Sequence, residues 1–531
     1  MINTLGVFRV ILIGIMFGFC FWLQTHTIIS GDITWLMQVG KRLLAGGHYY
    51  TDFFEVNPPM CIYIYLLPVI ASQYLHVSFI TTVTFYIFII LSISWLACHY
   101  LLKKILPRSA NIMRYTFECA LAFTYLILPA YAFGQREYLL VVLQMPYLLL
   151  IALRHQQQNI KTWQAITIGI FAAIGFAQKP FFLPAWFFLE LYLLLKTKNL
   201  TTWLFRPEII TCFFVFMAYG LSILLFTPEY ITQILPFITS IYYLNFQIPL
   251  VLLFTQTLVI FSTFLLLFYC FLRKQVTYGF LTDLLAINTV CMLFIYLIQR
   301  TPWYYHILPT VMLGSLLLML IIADFSQKNN LFKLKQLNWT LIKVNFIFIF
   351  LISLCFFPII TVRYFTTISF TGANKFFTNP IYLLAKKAAG QSIYIFTDNI
   401  AINYPLIDYS GTHPTSRFPC LWLLTAAQKL AGPEQNATQH ALAHKIIDFV
   451  ITADSNAIIK NKPAFIFIEL SQQLWLMPKK NFIQHTTLAL TRRPTQAYLK
   501  LFLQNQRFAK FWTHYRYIGT QNYYAIYEIK K

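Results

Sequence analysis

Charged residues are scarce in this sequence. Only 11% of its 531 residues are Asp, Glu, Lys or Arg, whereas 58% are hydrophobic. The mean hydropathy is +0.63, so the apolar surface exceeds what one water-soluble core can bury. This scarcity excludes an ordinary soluble globular protein and indicates a chain whose main solvent is lipid.

Short alternating strands are also lacking, which excludes a membrane barrel. The hydrophobic residues come in blocks of about 20, the length of a helix that crosses roughly 30 Å of hydrocarbon. The first block, 10–23, follows Arg9 without a small-residue cleavage site, so we predict an uncleaved span. Ten further spans are predicted over residues 79–102, 115–133, 139–153, 162–178, 181–195, 209–226, 248–272, 278–299, 303–323 and 341–360.

The nine cysteines offer neither a disulfide framework nor the spacing of a metal site. Seven fall inside predicted spans, and Cys420 is alone in the C-terminal part. We therefore predict no bound metal and no cofactor, with a divalent cation left open. The sequence has no internal repeat or low-complexity segment, and we expect no nucleic-acid partner.

Lys and Arg are distributed unevenly between alternating loops. One set of loops carries sixteen of them, whereas the other carries only Lys41, Arg42, Arg136, Lys179 and Arg300. Because basic residues resist translocation, the N-terminus is predicted inside, and a first outer loop over 24–78 is predicted outside. We expect a bacterial inner membrane, although a eukaryotic reticulum membrane would give the same hydropathy.

After residue 360 the pattern changes to short apolar runs. Strands are predicted over Ser392–Phe396, 464–468 and 523–527, and a helix over 439–460. The predicted organisation is thus a transmembrane domain, 1–360, and a small outer α/β domain, 361–531. The second domain carries 19 Lys and Arg against 7 Asp and Glu. Such a surface favours anionic lipid headgroups or an anionic acceptor, with plain solubility as an equal alternative.

The first outer loop concentrates acidic and amide side chains. Asp32 starts a segment, 33–44, whose apolar residues share one helical face, which is typical of a helix at the membrane interface. An aspartate at a helix start is either an N-cap or a functional carboxylate. Further along, Asn57-Pro58-Pro59 predicts extended backbone. The run 60–75, broken by Pro68, is predicted to be a juxtamembrane helix and not a span.

This loop resembles the first outer loop of the GT-C membrane glycosyltransferases. An acidic residue follows the first span, an interfacial helix ends at glycine, and Tyr-x-Asp-x-x-Glu-x-Asn-Pro-Pro-x-x-x-Tyr runs from Tyr50 to Tyr63. Within that family the loop is similar to those of the protein O-mannosyltransferases and the lipid A aminoarabinose transferases. Two weaker sequence similarities to this family lie at residues 134–138 and 304–309.

The resemblance implies an inverting transfer of a sugar from a polyprenyl-phosphate donor to an envelope glycan, lipid or protein acceptor on the outer face. Asp32 would be the catalytic base. Other members of the implied site are the carboxylates Glu55 and Glu137, the phosphate-binding Arg136, Lys179, Arg300 and His306, and the acceptor or loop residues Asp52, Asn57 and Tyr305. The aminoarabinose branch has a lysine where this chain has Asn57, so either Arg136 or Lys179 would replace that cation, or the donor differs.

Each cation also has a structural interpretation. Arg136 can pair with Glu137, Lys179 can reach the headgroups after a span, and Arg300 can belong to an aromatic belt with Tyr305 and the neighbouring His306. Two other function classes stay open: a transporter or flippase, and an envelope polysaccharide polymerase or ligase. Glu190, deep in an apolar run, is predicted to make a helix-packing hydrogen bond.

Overall fold

The computed structural model describes residues 4–328, 373–433, 435–470 and 496–530. Its first part is entirely helical. The helices are α1 (Thr4–His26), α2 (Gly31–Leu44), α3 (Met60–Tyr63), α4 (Leu66–Leu75), α5 (Phe79–Ile105), α6 (Asn111–Leu126), α7 (Arg136–His155), α8 (Thr162–Ala177), α9 (Leu183–Thr197), α10 (Leu200–Leu204), α11 (Pro207–Phe226), α12 (Leu235–Phe237), α13 (Tyr243–Phe246), α14 (Leu250–Phe254), α15 (Thr257–Leu272), α16 (Gly279–Gln299) and α17 (Tyr304–Lys328).

Eight of the predicted spans coincide with described helical stretches that are long and apolar enough to cross a membrane, and the span predicted over 162–178 is the shorter apolar helix α8. The span predicted over 115–133 is not one of the eight, because α6 ends at Leu126. The chain is therefore a multi-pass membrane protein. The span predicted over 248–272 is divided into α14 and α15 at Gln256, whose side chain accepts a hydrogen bond from the Tyr296 hydroxyl at 2.6 Å. The span predicted over 341–360 lies outside the described residues.

Two helices, α7 and α17, lie at the centre of the helical bundle. Both α7 and α17 are almost completely buried, whereas α1 and α11 expose most of their apolar side chains. Since exposed apolar helices need lipid around them, α1 and α11 form the lipid-facing periphery. Helix α7 packs against α5, α8, α9, α16 and α17. Its first residues therefore emerge at the centre of one end of the bundle.

Residues 24–78, the predicted first outer loop, form helices α2, α3 and α4, which pack against one another, and α4 also packs against α5. The interfacial helix after Asp32 and the juxtamembrane helix after Pro59 are both confirmed as helical. Residues 33–40 of α2 are buried throughout, because a second layer of protein covers the helix. That layer is the C-terminal α/β domain.

The C-terminal domain contains both helices and strands. The elements are α18 (Ala373–Phe377), α19 (Pro380–Lys387), β1 (Ser392–Phe396), α20 (Ile400–Ser410), β2 (His413–Pro414), α21 (Trp422–Leu430), α22 (Ala437–Asn461), β3 (Phe465–Glu469), α23 (Gln496–Phe502), α24 (Gln506–Trp512), β4 (Tyr515–Gln521) and β5 (Tyr524–Ile529). The described strands form one mixed sheet in the order β2-β1-β3-β5-β4. Strands β2, β1 and β3 are parallel, and β5 runs antiparallel to both β3 and β4. The three predicted strands correspond to β1, β3 and β5, and the predicted helix corresponds to α22.

Helix α20 joins this domain to α2. The rings of Trp35 and Tyr404 lie 4.6 Å apart, and Gln38 donates a hydrogen bond to Asp408. At the start of α2 the backbones approach so closely that a Cβ on Gly31 would lie 2.8 Å from the Ile400 carbonyl oxygen. Only glycine fits there, so the α20 backbone sets the position of the α2 N-terminus.

Candidate active site

Asp32 lies in the first turn of α2 with its side chain half-buried. The residue at the N-cap is Ser30, and no side chain caps this helix. The Asp32 Oδ2 instead accepts a hydrogen bond from the Gln135 Nε2, 3.1 Å away. The carboxylate thus faces the start of α7 and not its own backbone, so the capping interpretation is wrong.

The start of α7 is fixed by a tight turn. Gly134 has φ +79° and its carbonyl accepts a hydrogen bond from the Tyr65 hydroxyl at 2.6 Å. A Cβ on Gly134 would collide with Ile87, and the positive φ also favours glycine. This turn aims the next three side chains, Gln135, Arg136 and Glu137, into the end of the bundle. All three are buried.

Glu137 lies between three basic side chains. Its Oε1 accepts a hydrogen bond from the Lys179 Nζ at 2.5 Å and lies 3.5 Å from the His306 Nε2. Its Oε2 lies 4.0 Å from the Arg136 Nε and accepts no hydrogen bond. Lys179 is only 7% exposed, so the interpretation that it reaches the headgroups is wrong. The tight ion pair of Glu137 is made with Lys179, and Arg136 lies at the limit of pairing.

Arg136 is 3% exposed, and its guanidinium donates no hydrogen bond within the described part of the chain. It lies 5.8 Å above the ring of Tyr305 and within electrostatic range of Asp32. A buried arginine normally donates several hydrogen bonds, so Arg136 has N–H groups left over that could bind a ligand. This guanidinium, within electrostatic range of a half-buried carboxylate, is the main feature of the site.

Glu55 anchors the loop between α2 and α3. It is buried, and it accepts hydrogen bonds from the Trp35 indole and from the backbone and side chain of Asn57. Burial raises the pKa of Glu55, while these hydrogen bonds and the charge of Arg136 oppose that rise. Asp52 is exposed and accepts a hydrogen bond from the His48 backbone at 2.8 Å.

The other three predicted outer cations lie apart from this cluster. Arg300 is exposed at the C-cap of α16 with φ +53°. Lys41 lies over the ring of Phe79. Arg42 donates to the backbone carbonyls of Asp52 and Ser416, and so fastens the loop to the C-terminal domain. Of the five cations, the structure brings Arg136 and Lys179 to the carboxylates.

The sequence analysis did not predict Gln135 as a site residue, although Gln135 lies within residues 134–138, one of the two segments with a weaker similarity to the family. Tyr242, on the segment between α11 and α14, was also missed and lies within electrostatic range of Asp32 and Arg136. His306 is buried, and its Nδ1 forms a hydrogen bond with the Thr301 hydroxyl. Its Nε2 faces the Glu137 Oε1. In the described residues, no three His, Cys, Asp or Glu side chains form a metal-like group.

Comparison with known proteins shows likeness at the level of structure. No family model and no curated protein matches this chain. The crystal structure of apo ArnT from Cupriavidus metallidurans aligns over 99% of this chain and 98% of its own, with 11% identity and a TM-score of 0.54.

Two further solved structures align less well. ArnT from the same bacterium bound to undecaprenyl phosphate aligns over the same shares of both chains with 12% identity and a TM-score of 0.46. The apo oligosaccharyltransferase of Archaeoglobus fulgidus covers 87% of this chain and 69% of its own, with 10% identity and a TM-score of 0.49. The alignment with apo ArnT, which spans nearly the whole of both chains, shows that this protein has the fold of the GT-C membrane glycosyltransferases.

Proposed function

We propose that this protein is an integral-membrane inverting glycosyltransferase. It moves a sugar from a polyprenyl-phosphate donor to an envelope glycan, lipid or protein acceptor. The proposed location is the outer face of a bacterial inner membrane. Fold alone does not establish an activity, so the argument depends on the site. Its main support is the half-buried Asp32 carboxylate within electrostatic range of Arg136, a buried cation that donates no hydrogen bond within the described residues.

Asp32 is the proposed general base. The acceptor hydroxyl attacks the anomeric carbon of the donor sugar, and Asp32 takes the hydroxyl proton. The bond between the anomeric carbon and the phosphate oxygen breaks, and the polyprenyl phosphate leaves with that electron pair. A single displacement of this kind inverts the anomeric centre. A half-exposed carboxylate suits the role because the acceptor must reach it from water.

Arg136 is the proposed partner of the donor phosphate. Negative charge on the phosphate grows as it leaves, and a preorganised guanidinium can stabilise that charge with two parallel hydrogen bonds. Lys179 adds a second positive charge, but Glu137 holds its ammonium group. His306 and Tyr305 line the same cluster. Asn57, which stands where the aminoarabinose branch has lysine, bonds to Glu55 instead, so Arg136 takes the place of that cation.

The test uses purified protein in liposomes with undecaprenyl-phosphate-linked mannose and aminoarabinose, and it measures release of undecaprenyl phosphate in the presence of a membrane extract as acceptor source. We expect Asp32→Asn to abolish release while the protein stays folded. Asp448→Asn, an exposed carboxylate on α22, is the matched control and should retain full activity. Full turnover by Asp32→Asn would show that the base is elsewhere.

A further inference from the structure

We propose that Gln135 is the positioning residue of the catalytic carboxylate, and this inference rests on the proposed function of Asp32. The side-chain amide of Gln135 holds Oδ2 of Asp32 and thereby leaves Oδ1 to the acceptor hydroxyl. No contact of Gln135 with the sugar or the phosphate is required. Its effect on the reaction passes through Asp32.

The contacts of the Gln135 amide define one orientation. The Nε2 donates to the Asp32 Oδ2 at 3.1 Å and to the Ser30 Oγ at 2.6 Å. Because a carboxylate only accepts hydrogen bonds, the nitrogen of the amide must be the atom that faces Asp32. Both hydrogens of the amide are thus used on two residues at the start of α2. The link therefore joins the N-termini of α2 and α7.

The backbone holds this amide in place. Gln135 is 2% exposed, and its backbone N–H donates to the Ala132 carbonyl at 3.0 Å. Its own carbonyl accepts from Leu139 at 2.9 Å, in the first turn of α7. Gly134 precedes it in a conformation that favours glycine. A side chain on such a rigid support can fix a catalytic group within the narrow tolerance that transfer chemistry needs.

The two oxygens of Asp32 are not equivalent. Oδ2 accepts the Gln135 hydrogen bond, whereas Oδ1 accepts none within the described residues. A hydrogen bond to the charged form of a carboxylate makes it bind a proton less readily. Among the described residues, Arg136, Tyr242 and Tyr305 are charged or titratable groups within electrostatic range of Asp32. These three groups remain when Gln135 is replaced, so a change in the pH dependence of transfer can be assigned to loss of the Gln135 side-chain amide.

The first experiment is the pH profile of transfer by Gln135→Met, which keeps the volume but loses both donors. We expect the acidic limb of the kcat/KM profile to move up by about one pH unit, so that the loss is largest, roughly tenfold, at pH values below the limb and disappears at pH values above it. Gln135→Glu, which places a second carboxylate beside Asp32, should move the limb further. An unchanged limb in both variants would overturn the proposal.

The matched control is Gln144→Met on the same helix. Gln144 is equally buried, and it accepts a hydrogen bond from Asn288 at 3.1 Å, two and a half turns away from Gln135. It should lower stability without moving the acidic limb. A limb that moves in Gln144→Met as it does in Gln135→Met would mean that any loss of packing in α7 has this effect, and the assignment to Gln135 would fail.

A second measurement separates this proposal from the proposed function. A water-soluble carbodiimide labels protonated carboxyl groups, and mass spectrometry of the Asp32 peptide gives the pH at which half of the Asp32 is labelled. In Gln135→Met this midpoint should rise relative to the unmodified protein, whether or not transfer is detected. An equal midpoint overturns the role of Gln135. Full activity of Asp32→Asn together with a raised midpoint overturns the base and leaves the Gln135–Asp32 link standing.

Discussion

Helix α7 carries an arginine near each end, Arg136 buried and Arg154 half-buried. At its first residue, Arg136 donates no hydrogen bond within the described chain and lies 4.0 Å from Glu137. Near its last residue, Arg154 donates two hydrogen bonds to Glu208, both at 2.9 Å. The two arginines lie about 27 Å apart along the helix. The same residue type on the same helix therefore has acceptors for its N–H groups at one end and lacks them, within the described residues, at the other.

The neighbours of each arginine show the same contrast. Glu190 accepts from the Tyr147 hydroxyl at 2.6 Å, from the Trp203 indole at 2.8 Å and from Arg206. The predicted helix-packing role of Glu190 is thus confirmed. Every carboxylate oxygen of the Arg154 cluster, which we define as Arg154, Glu190, Arg206 and Glu208, has a donor. The Arg136 cluster, which we define as Arg136, Glu137, Lys179 and His306, has a free carboxylate oxygen.

This contrast teaches how to separate structural from functional charge in a membrane protein. Both clusters are costly to bury. The Arg154 cluster offsets that cost with internal hydrogen bonds and needs no ligand. The Arg136 cluster lacks that compensation, and a bound phosphate would supply it. Burial alone therefore does not separate the two clusters, whereas the unsatisfied atoms of Arg136 and Glu137 do, and they support the proposed site.

The largest expected effect comes from exchanging each arginine for methionine. Arg136→Met should lower kcat/KM for the donor on the order of 10²- to 10³-fold with little change in thermal stability, because no hydrogen bond within the described chain is lost. Arg154→Met should lower the free energy of unfolding by about 3–5 kcal/mol, because Glu208 loses its main partner. Donor kinetics and thermal unfolding in detergent measure both. Equal loss of stability in the two variants would contradict the comparison.

The second test addresses Lys179, which both pairs with Glu137 and is a candidate phosphate ligand. Lys179→Met alone should weaken donor binding roughly tenfold and lower the free energy of unfolding by about 3 kcal/mol, since a carboxylate stays buried without its close cation.

Adding Glu137→Gln to Lys179→Met should restore most of the stability while the donor KM stays high. Recovery of the KM in the double variant would mean that Lys179 serves Glu137 alone. Donor titration and thermal unfolding of the three variants decide between these outcomes.

A third test uses a buried carboxyl that lies away from both clusters, at the contact of α2 and α20. Burial raises the pKa of Asp408 to about 7, against the opposing hydrogen bond of Gln38. The folded protein therefore holds this proton more tightly than the unfolded chain does. Stability should fall as pH rises from about 4 to about 7 and stay level above that.

In Asp408→Asn this part of the pH dependence should vanish, so the variant should melt several degrees above the unmodified protein at pH 8 and close to it at pH 4. Thermal unfolding at several pH values measures the difference. Parallel curves for the two proteins would exclude Asp408 as the titrating group.

The smallest expected effect concerns the close approach at Gly31. Gly31→Ala should cost about 1–3 kcal/mol through overpacking against the Ile400 carbonyl and should slow transfer, because Asp32 moves with the backbone. Gly220→Ala on α11, where a Cβ meets nothing within 4 Å, is the control and should leave both properties unchanged. Thermal unfolding and single-turnover rates compare the two variants. Full activity in Gly31→Ala would show that α2 tolerates displacement.

Much of the fold is predictable because its signals are local. The lengths of the spans and the apolar face of residues 33–44 depend on residues that are close in sequence. These local patterns predicted the helices and the position of Asp32 at the start of α2. The partners of the site are not local. Gln135 meets Asp32 across 103 residues, and Lys179 meets Glu137 across 42. Nothing in the neighbourhood of either residue specifies such a pair, so packing had to reveal it.

The backbone contact between Gly31 and Ile400 also has a consequence for biosynthesis. About 370 residues separate the two partners in the chain, and at typical elongation rates the ribosome needs roughly 20–70 s to cover that distance. During this interval the Asp32 loop of a nascent chain lies outside the ribosome without the surface that fixes the start of α2. The final position of Asp32 is therefore reached only late in synthesis.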